Sequence, residues 1–351
     1  MSAQELKSPR VEANDTIEAI ELCYQKGWTD GLPVIPPVES RVREMVEYAG
    51  LEPDAVIGTF PLKQRVVTVE KAAINAVMAG CLPAYFPVVV AAVQCVLHEP
   101  DAVHGMAAST SSPAPLLVVN GPIRQQIGIN CGGNVFGPGW RANATIGRAL
   151  RLIMINVLAA TPNIFDRGTL GLPEKYTYCI GEDEENSPWE PLHVERGFER
   201  EASTLTLISA EAPRQITNRT SNSPEGILLT VADTMKCGGA SSFAFTGREY
   251  VVVIAREHQD TIAAAGWTKN QVKQFLFENA RRNMADLKRL GVRAGEIEPG
   301  DEQKIVTVVA KPEDIIVIAA GGAGGRYSAC IPCSGGLPSV TKVIGACADC
   351  K

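Results

Sequence analysis

LLVVNGPIRQQIGINCGGNVFGPGWRANATIGRALRLIMINVL, residues 116–158, decides the fold. It opens with four apolar residues, 116–119, a short buried strand closed by Asn120-Gly121-Pro122. A glycine-rich loop, INCGGNVFGPG, fills 129–139. The apolar period then lengthens to that of a helix over 144–158, with Ile146, Leu150, Ile153 and Val157 on one stripe. Strand, glycine-rich loop and amphipathic helix in succession form the unit of α/β layers.

The same alternation runs outward in both directions. Helical spacing predicts helices over 16–26, 40–49, 71–79, 83–97, 225–234 and 269–290. Strands are predicted at 65–69, 204–209, 250–255, 304–309 and 314–319. DIIVIA followed by GGAGG, residues 314–325, echoes LLVV followed by Cys131-Gly132-Gly133. The fold class expected is α/β, with mixed or parallel sheet layers and helices in two similar halves. Residues 1–200 would form the first half and 201–351 the second, ending in a cysteine-rich tail. GWTDGLPVIPP, 27–37, reads as a rigid extended loop whose Trp28 and Asp30 either line a pocket or form a structural clip.

The 351 residues are 45% hydrophobic, enough for a large core. A net charge of −6 without a basic stretch argues against nucleic acid as a partner. The polar start, MSAQELKSPRVEANDT, lacks the apolar centre of a signal peptide. The longest apolar stretch, 86–96, is too short to cross a bilayer. A cytoplasmic location and no membrane partner are therefore expected. The Ala- and Val-rich segment 72–97 suits a core or a homo-oligomer interface equally.

Four of the ten cysteines lie in the last 22 residues: Cys330, Cys333, Cys347 and Cys350, as two CxxC pairs. Such pairs can wrap four thiolates around zinc or an iron–sulfur cluster, and they can equally serve as thiol–disulfide couples. Three segments set cysteine beside paired glycines: Cys131-Gly132-Gly133, Cys237-Gly238-Gly239 and Cys333-Ser334-Gly335-Gly336. Glycines let backbone N–H groups approach a sulfur or an anion. If the three converge, Cys131 and Cys333 are candidate nucleophiles and Cys237 a further metal ligand.

Two histidines are candidate proton carriers. His193 lies in the acidic segment 181–201, and His258 follows the strand YVVVIA. Asn130 and Asn134, which flank Cys131, and Arg141 before the long helix suit an anionic substrate. The GGAGG run fails the dinucleotide fingerprint, because Tyr327 stands where a glycine is needed. A nest for phosphate or carboxylate, with Gly322, Gly324 and Arg326, fits better.

Several runs resemble the UGSC-type (seleno)protein family of bacteria. They are GWTDGLPVIPP (27–37), INAVMAGCLPAYFPVVVAAV (74–93), NGPIRQQIGINCGGNVFGPGWRANATIGRALRL (120–152), ENSPWEPLHVERGF (185–198) and GWTKNQVKQFLFENAR (266–281). The resemblance implies thiol or selenol redox chemistry, although the U-G-S-C run that names the family is missing here.

Three functions are open at this point. One is a cysteine-dependent redox enzyme acting on a small anionic substrate, served by an electron-donor protein. The second is a lyase or hydrolase with cysteine-held zinc or iron–sulfur. The third is a non-catalytic carrier of a metal or cluster.

Overall fold

The computed structural model describes residues 5–99, 101–237, 245, 248–334 and 338–345. Its helices are α1 (Thr16–Gln25), α2 (Glu39–Ala49), α3 (Val69–Ala79), α4 (Phe86–Val96), α5 (Ala102–Ala108), α6 (Ile123–Gln126), α7 (Arg141–Asn156), α8 (Leu192–Glu195), α9 (Pro224–Met235), α10 (Arg256–Ala264), α11 (Lys269–Asn279) and α12 (Met284–Arg289). Its strands are β1 (Val56–Phe60), β2 (Arg65–Thr68), β3 (Ala114–Asn120), β4 (Cys179–Gly181), β5 (Thr204–Ala210), β6 (Arg214–Thr217), β7 (Tyr250–Ile254), β8 (Arg281–Asn283), β9 (Ile305–Thr307), β10 (Ile315–Ala319), β11 (Tyr327–Pro332) and β12 (Val340–Val343). This is the α/β fold that the alternation of short strands and helices implies.

Two four-stranded mixed sheets form the centre, in the orders β12-β5-β3-β4 and β10-β7-β11-β6. They share one pairing scheme. In the first, β3 and β4 are parallel, while β3–β5 and β5–β12 are antiparallel. In the second, β7 and β10 are parallel, while β7–β11 and β11–β6 are antiparallel. The fourth strand is exchanged. β6 follows β5 in the chain but pairs in the second sheet, and β12 follows β11 but pairs in the first. The expected boundary at residue 200 therefore coincides with neither sheet, since β5 and β12 both complete the first.

The sheets lie face to face, so the central strands β3, β7 and β10 are buried on both sides and read as continuous apolar runs. Leu116, Val118 and Ile208 of the first sheet meet Val251, Val253, Ile316 and Ile331 of the second. The outer face of the first sheet, with Leu117 and Leu205, packs on α2, α3, α4 and α7. The outer face of the second, with Val252, Val317 and Cys330, packs on α9, α11 and α12. Four layers result: helices, sheet, sheet, helices. Among the described residues no helix is long and apolar enough to cross a membrane.

Two expected elements differ. The helix expected over 269–290 stops at Asn279, because Arg281–Asn283 pairs as β8 with β9 before α12 resumes. Residues 327–332, expected in an irregular tail, form the strand β11 between β7 and β6.

Candidate functional site

Open α/β sheets place ligands beyond the carboxyl ends of their parallel strands. Here β3 runs into the loop that carries Cys131, and β10 runs into Gly321–Gly325. The two loops meet. The Gly321 N–H donates to the Cys131 carbonyl at 2.8 Å. A Cβ built on Gly322 would stand 2.8 Å from the Gly133 Cα, so only glycine permits this approach. Between the loops lies a cleft of about 390 Å³. Residues 133–137 form one wall and 321–324 the other, with Val253, Ala255 and Ala320 on the floor. Gln215 and Tyr327 supply polar side chains.

The backbone of the second wall is unusual. Gly321, Gly324, Gly325 and Arg326 all have positive φ, at 104°, 117°, 83° and 53°. The N–H groups of residues 322–325 donate to no acceptor among the described residues. Successive free N–H groups on such a backbone suit an anion. At the rim, Arg219 donates to the Tyr327 hydroxyl at 2.9 Å and lies 5.6 Å from its ring centre.

Cys131 is half-buried and stands two residues before Gly133, where the cleft lining begins. Its loop is gripped by Asn143 of α7, whose Oδ1 accepts from the Asn130 N–H and whose Nδ2 donates to the Asn130 carbonyl. Gly181, at the end of β4, lets this loop pack close, since a Cβ there would stand 2.9 Å from Ile129 Cγ2 and 3.3 Å from the Cys131 Cβ. Burial raises the Cys131 pKa above the ordinary thiol value, and the Asp183 carboxylate adds to the rise. The nearby positive charge of the Arg124 guanidinium pulls the other way. Arg124 is itself buried and held by Glu184 at 3.0 Å and Glu185 at 2.8 Å. Six of the eight described cysteines are buried, Cys237 is exposed, and Cys131 lies between.

The expected convergence of cysteines does not occur. Alternate residues of a strand face opposite sides. Cys330 points into the helix layer, where its thiol lies 3.8 Å from the Val231 carbonyl, and Cys333 faces the layer between the sheets. Burial pushes the Cys330 thiol up to about 12 and that of Cys333 well above its ordinary value. β11 runs antiparallel to β7, so Cys333 also lies at the opposite end of the sheet from the cleft. Cys237 follows α9 on the helix side, near Cys330. Cys330 and Cys333 therefore cannot grip one ion as a CxxC turn does. Among the described residues no three His, Cys, Asp or Glu side chains form a metal-holding group. Cys347 and Cys350, with Gly238, Gly239, Gly335 and Gly336, lie outside the described residues.

Both candidate histidines are buried and neither lines the cleft. His258 is 1% exposed; its Nε2 meets the Asn218 carbonyl at 3.2 Å, which leaves Nδ1 to accept from the Ser328 hydroxyl at 2.8 Å. Ser328 alternates with Tyr327 and Ala329, so this pair lies on the helix side of β11, beneath the cleft. His193 is 0% exposed and its Nε2 meets the Arg200 carbonyl at 3.1 Å.

Of the expected substrate-binding residues, Gly322, Gly324 and Asn134 line the cleft. Asn130 instead braces its own loop, accepting from Gly132 and donating to the Gly133 carbonyl. Arg141 caps the Gly80 carbonyl at 2.9 Å, away from the cleft. The Arg326 guanidinium donates to the Ser221 carbonyl and to Asn222. Asp30 forms a two-pronged pair with Arg148, at 2.8 and 2.9 Å, so the 27–37 loop is a clip. Sequence reasoning missed Arg124, Gln215 and Tyr327. Tyr327 registered there only as the residue that breaks a glycine fingerprint.

No protein-family model and no curated protein sequence matches the chain.

Proposed function

We propose that the protein is a thiol-dependent enzyme of oxidoreductase type that acts on a small anionic substrate, with Cys131 as the reacting thiol. The observation that carries this reading is the meeting of two glycine-rich loops, one bearing Cys131, at the carboxyl ends of β3 and β10. Cys131 alone among the described cysteines combines partial exposure with the electrostatic influence of a nearby guanidinium. The thiolate is the reactive form, and Arg124 offsets part of the rise that burial and Asp183 cause. The resemblance to a thiol or selenol redox family points the same way. The metal and carrier readings gain nothing from Cys330 and Cys333, which face opposite sides of β11.

Alkylation tests this directly. Iodoacetamide under non-denaturing conditions, followed by peptide mass spectrometry, is expected to modify Cys131 and the exposed Cys237 and to spare Cys330 and Cys333. The Cys131 rate should climb with pH through a midpoint above about 8.5, the ordinary thiol value. Cys131→Ser should abolish turnover of any substrate found by screening small organic anions, and Cys237→Ser should not. Full turnover by Cys131→Ser would remove the thiol from the mechanism.

A further inference from the structure

The two sheets end differently at their parallel pairs. In the first, the β3–β4 register closes at Val119 opposite Gly181, and the next residues are Asn120 and Glu182. In the second, β7–β10 closes at Ile254 opposite Ala319, and the next residues are Ala255 and Ala320. A matching hydrogen bond marks the position in both. The Glu182 N–H donates to the Val119 carbonyl at 3.3 Å, and the Ala320 N–H donates to the Ile254 carbonyl at 3.3 Å. Glu182 and Ala320 are therefore counterparts in the shared pairing scheme, as are Asn120 and Ala255.

The first sheet carries its own anion at this point. Glu182 is 0% exposed, and its Oε2 accepts from the Leu192 N–H and the Asn120 Nδ2, both at 2.7 Å. Its Oε1 lies 3.8 Å from the Lys269 ammonium. A carboxylate at such depth persists only with donors and a counter-charge of this kind. The second sheet has two methyl groups at the counterpart positions, and beyond them the cleft and the free N–H groups of residues 322–325. Donors and space are both present there; the Glu257 carboxylate accepts from the Arg326 N–H at 2.7 Å at the end of the loop and does not line the cleft.

Resting on the reading of this cleft as the substrate site, we infer that it takes the carboxylate of a small organic acid. The N–H groups of residues 322–325 hold the charge through charge-assisted hydrogen bonds. Val135, Phe136, Pro213 and Val253 receive the carbon skeleton. The cleft is several times larger than a carboxylate alone needs, so the acid carries an apolar body, aliphatic or aromatic.

Calorimetric titration of the full chain with butyrate, benzoate, butyramide, benzamide and inorganic phosphate tests this. The acids should bind at least about tenfold more tightly than their amides, the loss expected when a charge-assisted hydrogen bond becomes a neutral one. Ala320→Glu, which copies Glu182 into the second sheet, should fold and lose acid binding. If it does not fold, Ala323→Glu on the exposed loop serves the same purpose. Equal affinity for acids and amides, tighter binding of phosphate, or undiminished binding by the folded Glu variant would each overturn the inference. Cys131→Ser separates this inference from the thiol reading. Acid binding should survive it, and if acids bind while alkylation and turnover prove independent of Cys131, the thiol reading fails and the carboxylate site stands.

Discussion

His258 is a neutral base sealed under the cleft, and its energetics follow from that position. Burial lowers its pKa below the ordinary 6.5, Arg326 lowers it further, and the Asn218 carbonyl and Glu257 oppose the shift. Once unfolded, the imidazole takes up its proton near pH 6.5, whereas the folded form resists. The contribution is therefore complete above pH 6.5 and is lost as pH falls through the lower folded value. Urea unfolding midpoints should fall more steeply between pH 7 and pH 5 for the wild type than for His258→Gln, which cannot titrate. Equal slopes would show that other groups set the acid limit. At this scale the sequence was legible in part. The glycine pairs beside Cys131 and at 321–325 stood out as places where backbone can come close, and Gly321 and Gly322 do meet the Cys131 loop. Cys330 and Cys333 stood out equally and misled, because spacing along the chain does not reveal whether a CxxC lies in a turn or a strand.

Among the elements, α7 does most to place the site. One buried side chain, Asn143, ties it to the Cys131 loop and to β4, donating to the Asn130 and Cys179 carbonyls and accepting from the Asn130 N–H. Asn143→Ala should leave these backbone groups short of partners and cost about 2–4 kcal/mol in urea unfolding, given 1–3 kcal/mol for each buried polar group left unpaired. It should also speed Cys131 alkylation at constant pH, because the loop loses its anchor. A loss of stability without faster alkylation would mean that Gly321 alone holds the loop. The helix stripe of α7 was readable from period, as were β3, β7 and β10 from their apolar runs. Strands without a distinctive apolar run were not. β8 and β11 are short and lack a strong alternating signal, and only their pairing with β9, and with β7 and β6, turns them into strands.

For the whole molecule, the exchange of β6 and β12 ties the two sheets into one unit. Neither half buries its inner face without the other, since Leu116 and Val118 pack against Val251 and Ile316. Residues 1–211 and 212–351 produced separately should each lack a cooperative thermal transition by circular dichroism, and mixing them should restore one. Independent melting of either piece would show that the exchange is dispensable for folding.

The same exchange sets a timetable for synthesis. Strands β3, β4 and β5 leave the ribosome early, but the partner for the outer edge of β5 comes from residues 340–343. Translation proceeds at about 5–20 residues per second, so that edge stays open for roughly 7–26 s while the second sheet is made. An unpaired edge invites pairing with other chains. The newborn chain is thus open to aggregation until residues 340–343 emerge, and slowing the translation of residues 211–343 should lower its soluble yield.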